Sequence, residues 1–308
     1  MKTPLALLLS DIHLSKNIPV ARSAESDWLK VIRRQWKLIN ETAKKYNVPI
    51  VIAGDIFDKW NSSPEIINLA IELFANHKIY AVPGQHDLPN HKYDQLHRSA
   101  YGVLVNANII TDLTPETSFP ISKELTLYGF PWGHTPHPNH PIRKTIHLAV
   151  VHQYLWTPET GYLGAPKEVK LTTNTTKMFE GYDAVVVGDN HQHFHYKHIF
   201  NCGGFIPRRS DEHQAHTPCF GILWSTREIT KHLLPTEEDK WISTIDKKET
   251  SLSLKEQKDL TSFVKMLENL GGEKLEFEST IQLYLEKNQI DNRVKELVLE
   301  VLSEDGST

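Results

Sequence analysis

A chain of 308 residues is long enough for one large domain or two ordinary ones. With 39% hydrophobic and 23% charged residues it can bury a core, which excludes wholesale disorder, and no apolar run reaches the roughly 18 residues of a membrane span. The net charge of −4 is uneven: residues 237–308 carry 10 Lys+Arg against 17 Asp+Glu, so a strongly basic protein that coats nucleic acid is excluded while a locally basic face in 1–236 is not. The two cysteines, Cys202 and Cys219, exclude a disulfide scaffold and a thiolate zinc site. Histidine is abundant, at 17, and the last is His232, so any histidine chemistry precedes the acidic tail.

In chain order, residues 5–9 form an apolar run that ends at Ser10-Asp11. The run is too short for a signal-peptide core and reads as the first strand of a cytoplasmic protein. Trp28, Val31, Ile32, Trp36 and Ile39 follow helical spacing. Residues 48–54 form a strand that leads to Asp55, and Ile66, Ile67, Ala70, Leu73 and Phe74 mark a second helix. Further apolar runs lead from 79–84 into Gln85-His86-Asp87, from 146–151 into His152, and from 184–188 into Asp189-Asn190-His191. Continuous runs of this kind predict strands buried on both faces, and their alternation with helices predicts an α/β sheet. Residues 219–224 and 228–234 predict a hairpin. Beyond it, a capping box at Ser253-Leu254-Lys255-Glu256, apolar stripes through Leu260 to Leu267 and Val294 to Leu302, and a further helix over 277–287 predict a small helical domain over 237–308 that caps the substrate or docks a partner.

Ligands in such sheets gather beyond the carboxyl ends of the strands. Five strand ends therefore bring Asp, His and Gln side chains to one crevice. In Asp11-Ile12-His13 the alternation of extended backbone puts a carboxylate and an imidazole on one face. Asp55 follows a glycine at a sharp exit, where its two oxygens can bridge two ions. Gln85 adds an amide oxygen, His86 is a candidate proton donor, and His152, Asp189 and His191 complete the set. Hard oxygens mixed with imidazoles suit manganese, magnesium, iron or zinc, and the lack of thiolates argues against copper(I).

These motifs, Ser10-Asp11-Ile12-His13, Gly54-Asp55-Ile56-Phe57-Asp58, Gly84-Gln85-His86-Asp87, His152 and Gly188-Asp189-Asn190-His191, resemble those of the calcineurin-like metallophosphoesterases. Within them the chain is most similar to the SbcD-type DNA-repair nuclease subunits, including bacteriophage relatives. The finer likeness rests on Gly54-Asp55-Ile56-Phe57-Asp58, on Tyr182-Asp183-Ala184-Val185-Val186-Val187-Gly188 and on Asn201-Cys202-Gly203-Gly204-Phe205-Ile206-Pro207. The resemblance implies a β-sandwich flanked by helices, in four layers α/β/β/α, as a catalytic domain over 1–236. It implies two divalent ions, Mn²⁺ first and Mg²⁺ second, held by Asp11, His13, Asp55, Gln85, His152, Asp189 and His191. His86 would then be the proton donor. Asp87 either orients His86 or caps a turn, and Asp58 either supports the site or anchors its loop.

The chain departs from the family at Gln85, where Asn is usual, and at Asp189, where His is usual. By family analogy both belong to the second ion, which implies a harder second site. A register using His191 and His193 is the alternative. Arg208 and Arg209 are candidates to grip phosphates, and Tyr154, Trp156 and Trp132 to stack bases. The activity implied is that of a two-metal phosphodiesterase, a DNA exo- or endonuclease subunit of repair or recombination. Its partners would be DNA, an SMC-like coiled-coil ATPase and a second copy of the chain. The alternatives are a phosphomonoesterase or nucleotide phosphodiesterase, and a catalytically degenerate structural subunit.

Overall fold

In an extended strand alternate side chains face opposite ways, and the first apolar run is buried on both sides. Leu7 and Leu9 join one core while Ala6 and Leu8 join another. The computed structural model describes residues 2–113, 118–139, 145–162, 164–209 and 216–242. The helices expected within 253–302, and with them the helical-domain expectation, lie outside these residues, as does His140.

The described chain runs β1 (Pro4–Leu9), α1 (Trp28–Tyr46), β2 (Ile50–Ala53), α2 (Pro64–Phe74), β3 (Ile79–Val82), α3 (Ala100–Asn106), β4 (Thr111–Asp112), β5 (Ser118–Pro120), β6 (Leu125–Phe130), β7 (Ile146–His152), β8 (Ala184–Gly188), β9 (Phe194–Tyr196), β10 (Ile199–Asn201), β11 (Cys219–Trp224) and β12 (Ile229–Leu233). One sheet has the order β12-β11-β1-β2-β3-β4 and the other β5-β6-β7-β8-β10-β9. In the first, β1 to β4 are parallel and the expected hairpin, β11 and β12, adds two antiparallel strands beside β1. In the second, β6, β7, β8 and β10 are parallel, with β5 and β9 antiparallel at the edges.

The inner faces meet through Leu8, Val51, Val82 and Leu223 on one side and Leu127, Leu148, Val150, Val186 and Phe200 on the other. The outer face of the first sheet is covered by helices. Asp27 starts α1 by accepting from the Lys30 N–H at 3.0 Å, and Asn47 ends it in the left-handed conformation at φ 51°. Its stripe of Trp28, Val31, Ile32, Trp36 and Ile39 is buried, as the spacing predicts, and each such side chain contributes about 2 kcal/mol of transfer free energy. Pro64 opens α2 at a position where a missing N–H costs nothing. The outer face of the second sheet is covered by Leu155, Leu171 and Phe179, carried by loops and two 3-10 segments, Lys167–Val169 and Thr175–Phe179. The expected layers are therefore present, with 3-10 turns forming the fourth.

Met1–Ile242 forms one compact unit. No helix among the described residues is long and apolar enough to cross a membrane. Because β1, β2, β3, β7 and β8 share one direction, residues following each of them emerge on a single edge of the sandwich.

Candidate metal centre

Four of the expected ligands sit in left-handed backbone: Asp11 (φ 51°), His13 (49°), Asp55 (52°) and Asp189 (84°). Non-glycine residues seldom adopt this conformation, and each costs about 1–3 kcal/mol unless its surroundings impose it. Here the exits of β1 and β2 are tied side by side. The Asp11 N–H donates to the Gly54 carbonyl at 3.1 Å, His13 to Asp55 at 2.9 Å and Leu14 to Ile56 at 2.8 Å. Asp87 holds the next exit from within: its carboxylate accepts from the N–H groups of Phe57 (2.9 Å), Gly84 (3.0 Å) and Ile56 (3.2 Å). These bonds hold the turn, and the His86 ring takes a different partner, the Asp58 carbonyl. Gly84 matters for contact, since a Cβ there would lie 2.1 Å from Asp55 Oδ1.

The side chains gather into adjoining groups. Asp11, His13 and His191 form one, and Asp11, Asp55 and His152 another, each with its ligand atoms within 4.8 Å of one another. The Nε2 atoms of His13 and His191 face each other at 3.1 Å. Asp55 Oδ2 lies 3.7 Å from His13 Nε2 and 3.5 Å from His152 Nε2, so one buried carboxylate reaches toward both groups. Gln85 and Asp189 extend the second. Gln85 Oε1 is 2.6 Å from His152 Nε2, and the Gln85 amide donates to Asp189 Oδ1 at 2.9 Å. Asp11 accepts from the Asp189 N–H at 3.0 Å. His152 Nδ1 donates to the Ala53 carbonyl at 2.7 Å, which turns Nε2 toward the cluster, the usual way of orienting a histidine ligand.

The donor set fits divalent ions. Asp55 Oδ2 and His13 Nδ1 are buried without hydrogen-bond partners, which is costly in an apolar setting unless a cation completes them. Electrostatics agree. Burial alone would raise Asp55, but the charge of His152 beside it holds its carboxyl well below the usual range. Burial opposes charge on His152 too, yet Asp55 lifts it to about 10. Burial pushes His13 down to about 3 and Asp11 up to about 6. The pocket thus demands positive charge and in this form draws a proton to His152 to supply it.

His86 stands exposed at the rim, its Nδ1 donating to the Asp58 carbonyl at 2.8 Å and its ring 5.0 Å from that of His13. Asp58 pairs with Arg208, and its Oδ1 lies 3.9 Å from His13 Nδ1. Arg208 is therefore brought to the cluster, whereas Arg209 is exposed. Trp132 packs near His152, with ring centres 6.3 Å apart. Tyr154 is half-buried against Tyr162 at 5.5 Å, and Trp156 donates to the Pro166 carbonyl at 2.8 Å, a partner within its own loop. His193 is turned onto the Asn201 carbonyl at 2.6 Å and the Phe200 ring, while His191 joins Asp11 and His13. Sequence reasoning missed two supports. Asn190 is buried and ties the last ligand loop to the Leu155 and Thr160 carbonyls, and buried His216 braces His193 N–H at 3.3 Å and Gly204 O at 3.1 Å. His216 belongs to no motif that would have marked it, and Asn190 stood in the last motif without an assigned role.

The family model described as calcineurin-like phosphoesterase matches residues 5–193. No curated protein matches significantly. Among solved structures, the crystal structure of calcineurin-like phosphoesterase YfkN from Bacillus subtilis is similar, with a TM-score of 0.46 at 10% identity over 81% of this chain and 97% of that chain. The matched residues span every ligand-bearing strand exit described above, and the chain belongs to the calcineurin-like phosphoesterase family.

Proposed function

We propose that this chain is a two-metal phosphodiesterase that cuts DNA, a nuclease subunit of repair or recombination. The observation that carries the hydrolytic part is the placement of buried Asp55 between two ligand groups. Asp11, His13, Asp55 and His191 would hold one ion and Asp55, Gln85, His152 and Asp189 the other. When bound, two divalent ions supply Lewis acidity toward phosphoryl oxygens and lower the pKa of a water.

The chain's own groups do the rest. The Asp58 carbonyl can only accept, so His86 Nδ1 carries a proton and Nε2 is the nitrogen left to serve the substrate. Protonated there, His86 hands a proton to a leaving alkoxide at the exposed rim. Arg208, held by Asp58 beside His13, offers a planar fork of donors to a phosphate. A cavity of about 310 Å³ bordered by Asp58, Trp60, His86 and His91, and another of about 200 Å³ bordered by Leu14, Ser15 and Asp58, leave room for a substrate beside the rim. The hard donor set favours Mn²⁺ or Mg²⁺. The finer motif likeness supports DNA as substrate, with an SMC-like coiled-coil ATPase and a second copy of the chain as partners.

One observation favours a second reading. Gln85 hydrogen-bonds to both His152 and Asp189, so the second set partly satisfies itself, as in a degenerate structural subunit. An Mn²⁺-dependent assay on linear duplex DNA, single-stranded DNA and a bis-aryl phosphate separates the readings. Cleavage of DNA and of the small diester is expected. Turnover of the small ester alone would make the chain a phosphodiesterase of other substrates, and two bound ions without any turnover would make it a structural subunit.

A further inference from the structure

Arg22 is the bulkiest of the fully buried side chains and belongs to none of the ligand groups. A buried guanidinium persists only where its charge and donors are met. Nη2 donates to Glu25 Oε1 at 2.8 Å and pairs with Asp239 Oδ1 at 2.9 Å. Nη1 donates to the Pro207 carbonyl at 3.1 Å, and Nε to the Lys240 carbonyl at 3.2 Å. The guanidinium carbon lies 4.6 Å from the Trp241 ring centre and 5.3 Å from that of Trp28. These partners come from places far apart in sequence: the turn around Arg22, the start of α1, the loop that ends at Pro207, and the segment after β12.

That last segment is tied down by several further contacts. Asp239 also pairs with Arg34, the Lys240 N–H donates to Glu25 Oε1 at 2.7 Å, the Ile242 N–H to the Ala21 carbonyl at 3.2 Å, and the Gln35 amide to the Pro235 carbonyl at 2.5 Å. On the opposite side of Arg22, Pro207 directly precedes Arg208, which pairs with Asp58 beside His13. A continuous path of bonds therefore leads from residues 239–241 through Arg22 and the 207–208 backbone to the rim of the ligand groups. A buried ion pair contributes little net stability against an apolar equivalent, so stability alone is a weak reason for placing an arginine here. Its reach to the carbonyl adjoining Arg208 gives a stronger one.

We infer that Arg22 is a positioning residue, which sets Arg208 against Asp58 for phosphate binding and does so only while Asp239 and Trp241 hold it. The inference rests on the reading of Arg208 as a phosphate-gripping group. It makes residues 239–241 part of the support of the hydrolytic site.

Truncating Arg22 itself would leave the buried Glu25 carboxylate without a cationic partner and Asp239 with Arg34 alone, and is expected to unfold the unit. The test therefore uses Asp239→Asn and Trp241→Ala in the full-length, Mn²⁺-loaded chain, alone and combined with Arg208→Ala. Inorganic phosphate is titrated by calorimetry, and bis-aryl phosphate turnover, metal stoichiometry and Tm are measured alongside. Each single variant is expected to weaken phosphate binding roughly fivefold and raise KM by a similar factor, with kcat and metal content unchanged; in the Arg208→Ala background the same changes should fall below about twofold, because residues acting through one group are not additive. Equal weakening in both backgrounds, a fall in Tm without a change in phosphate affinity, or a wild-type chain that binds no phosphate overturns the inference. A wild type that binds phosphate but hydrolyses nothing removes the hydrolase reading alone, and the phosphate cycle still decides the role of Arg22.

Discussion

Asp55 and His152 share a charge that the fold cannot leave unbalanced. Both are about 1% exposed, and the carboxylate draws a proton onto the imidazole, whose pKa rises to about 10, while burial keeps His13 neutral with a pKa of about 3. A divalent ion between them needs the lone pair of His152 Nε2, so loading must expel that proton. At pH 7.5, between the two values, about one proton is expected to leave per ion that enters beside His152, and apparent affinity should rise about tenfold per pH unit until the imidazole titrates. Below the Asp11 value of about 6 a second proton adds to the count. Titration in two buffers of different ionisation enthalpy measures this directly, and loading at pH 7.5 without proton release would contradict the charge balance. The residues that gather here could be picked out in the sequence because each lies within a few positions of the end of an apolar run. The Asp58–Arg208 pair was not, because its members stand 150 positions apart and only the fold brings them together.

Strand exits, more than the strands themselves, carry the chemistry. β1, β2 and β3 could be read from composition, and α1 and α2 from helical spacing, because each is long enough to display a period. The 3-10 segments over the second sheet and the three-residue strands β9 and β10 are too short to show one. The exits were legible only as a run of Gly-Asp and Gly-Gln pairs, and the structure supplies their physical reason. Gly84 has ordinary extended backbone, so its value lies in the missing Cβ, which would stand 2.1 Å from Asp55 Oδ1 and 2.7 Å from Asp55 N. Gly84→Ala is therefore expected to cost about 1–3 kcal/mol by overpacking and to displace the shared carboxylate. Gly133→Ala is the control: at φ +84° with nothing within 4 Å it carries backbone strain of about 1–2 kcal/mol and no contact with the site. Denaturant unfolding should show similar losses for the two variants. Metal stoichiometry should fall only in Gly84→Ala, and retention of both ions there would show that Asp55 tolerates the shift.

At the scale of the whole molecule, the parallel runs announced sheets buried on both faces but not how two such sheets stack, because a run apolar throughout has no polar side to indicate its neighbours. The family resemblance supplied that layering, and the two cysteines provide a probe of it. Cys202 follows β10 of the second sheet, and its thiol donates at 3.2 Å to the Leu8 carbonyl in β1 of the first. Cys219 begins β11 of the first sheet and donates at 3.2 Å to the Cys202 carbonyl. Both are about 1% exposed, and burial pushes the Cys219 thiol up to about 12 and that of Cys202 well above its ordinary value. Thiolate is the reactive form, so neither residue should react with an aromatic disulfide reagent at pH 8 in the folded protein. Both should react in guanidinium. Because each thiol bridges the sheets, neither can be reached without parting β1 from β10, so the two should be labelled together at the rate of global opening. Mass spectrometry of partly labelled protein would then show unlabelled and doubly labelled chains. A large singly labelled population would mean that one end of the sandwich opens alone, and that the two sheets do not act as one cooperative unit beneath the metal centre.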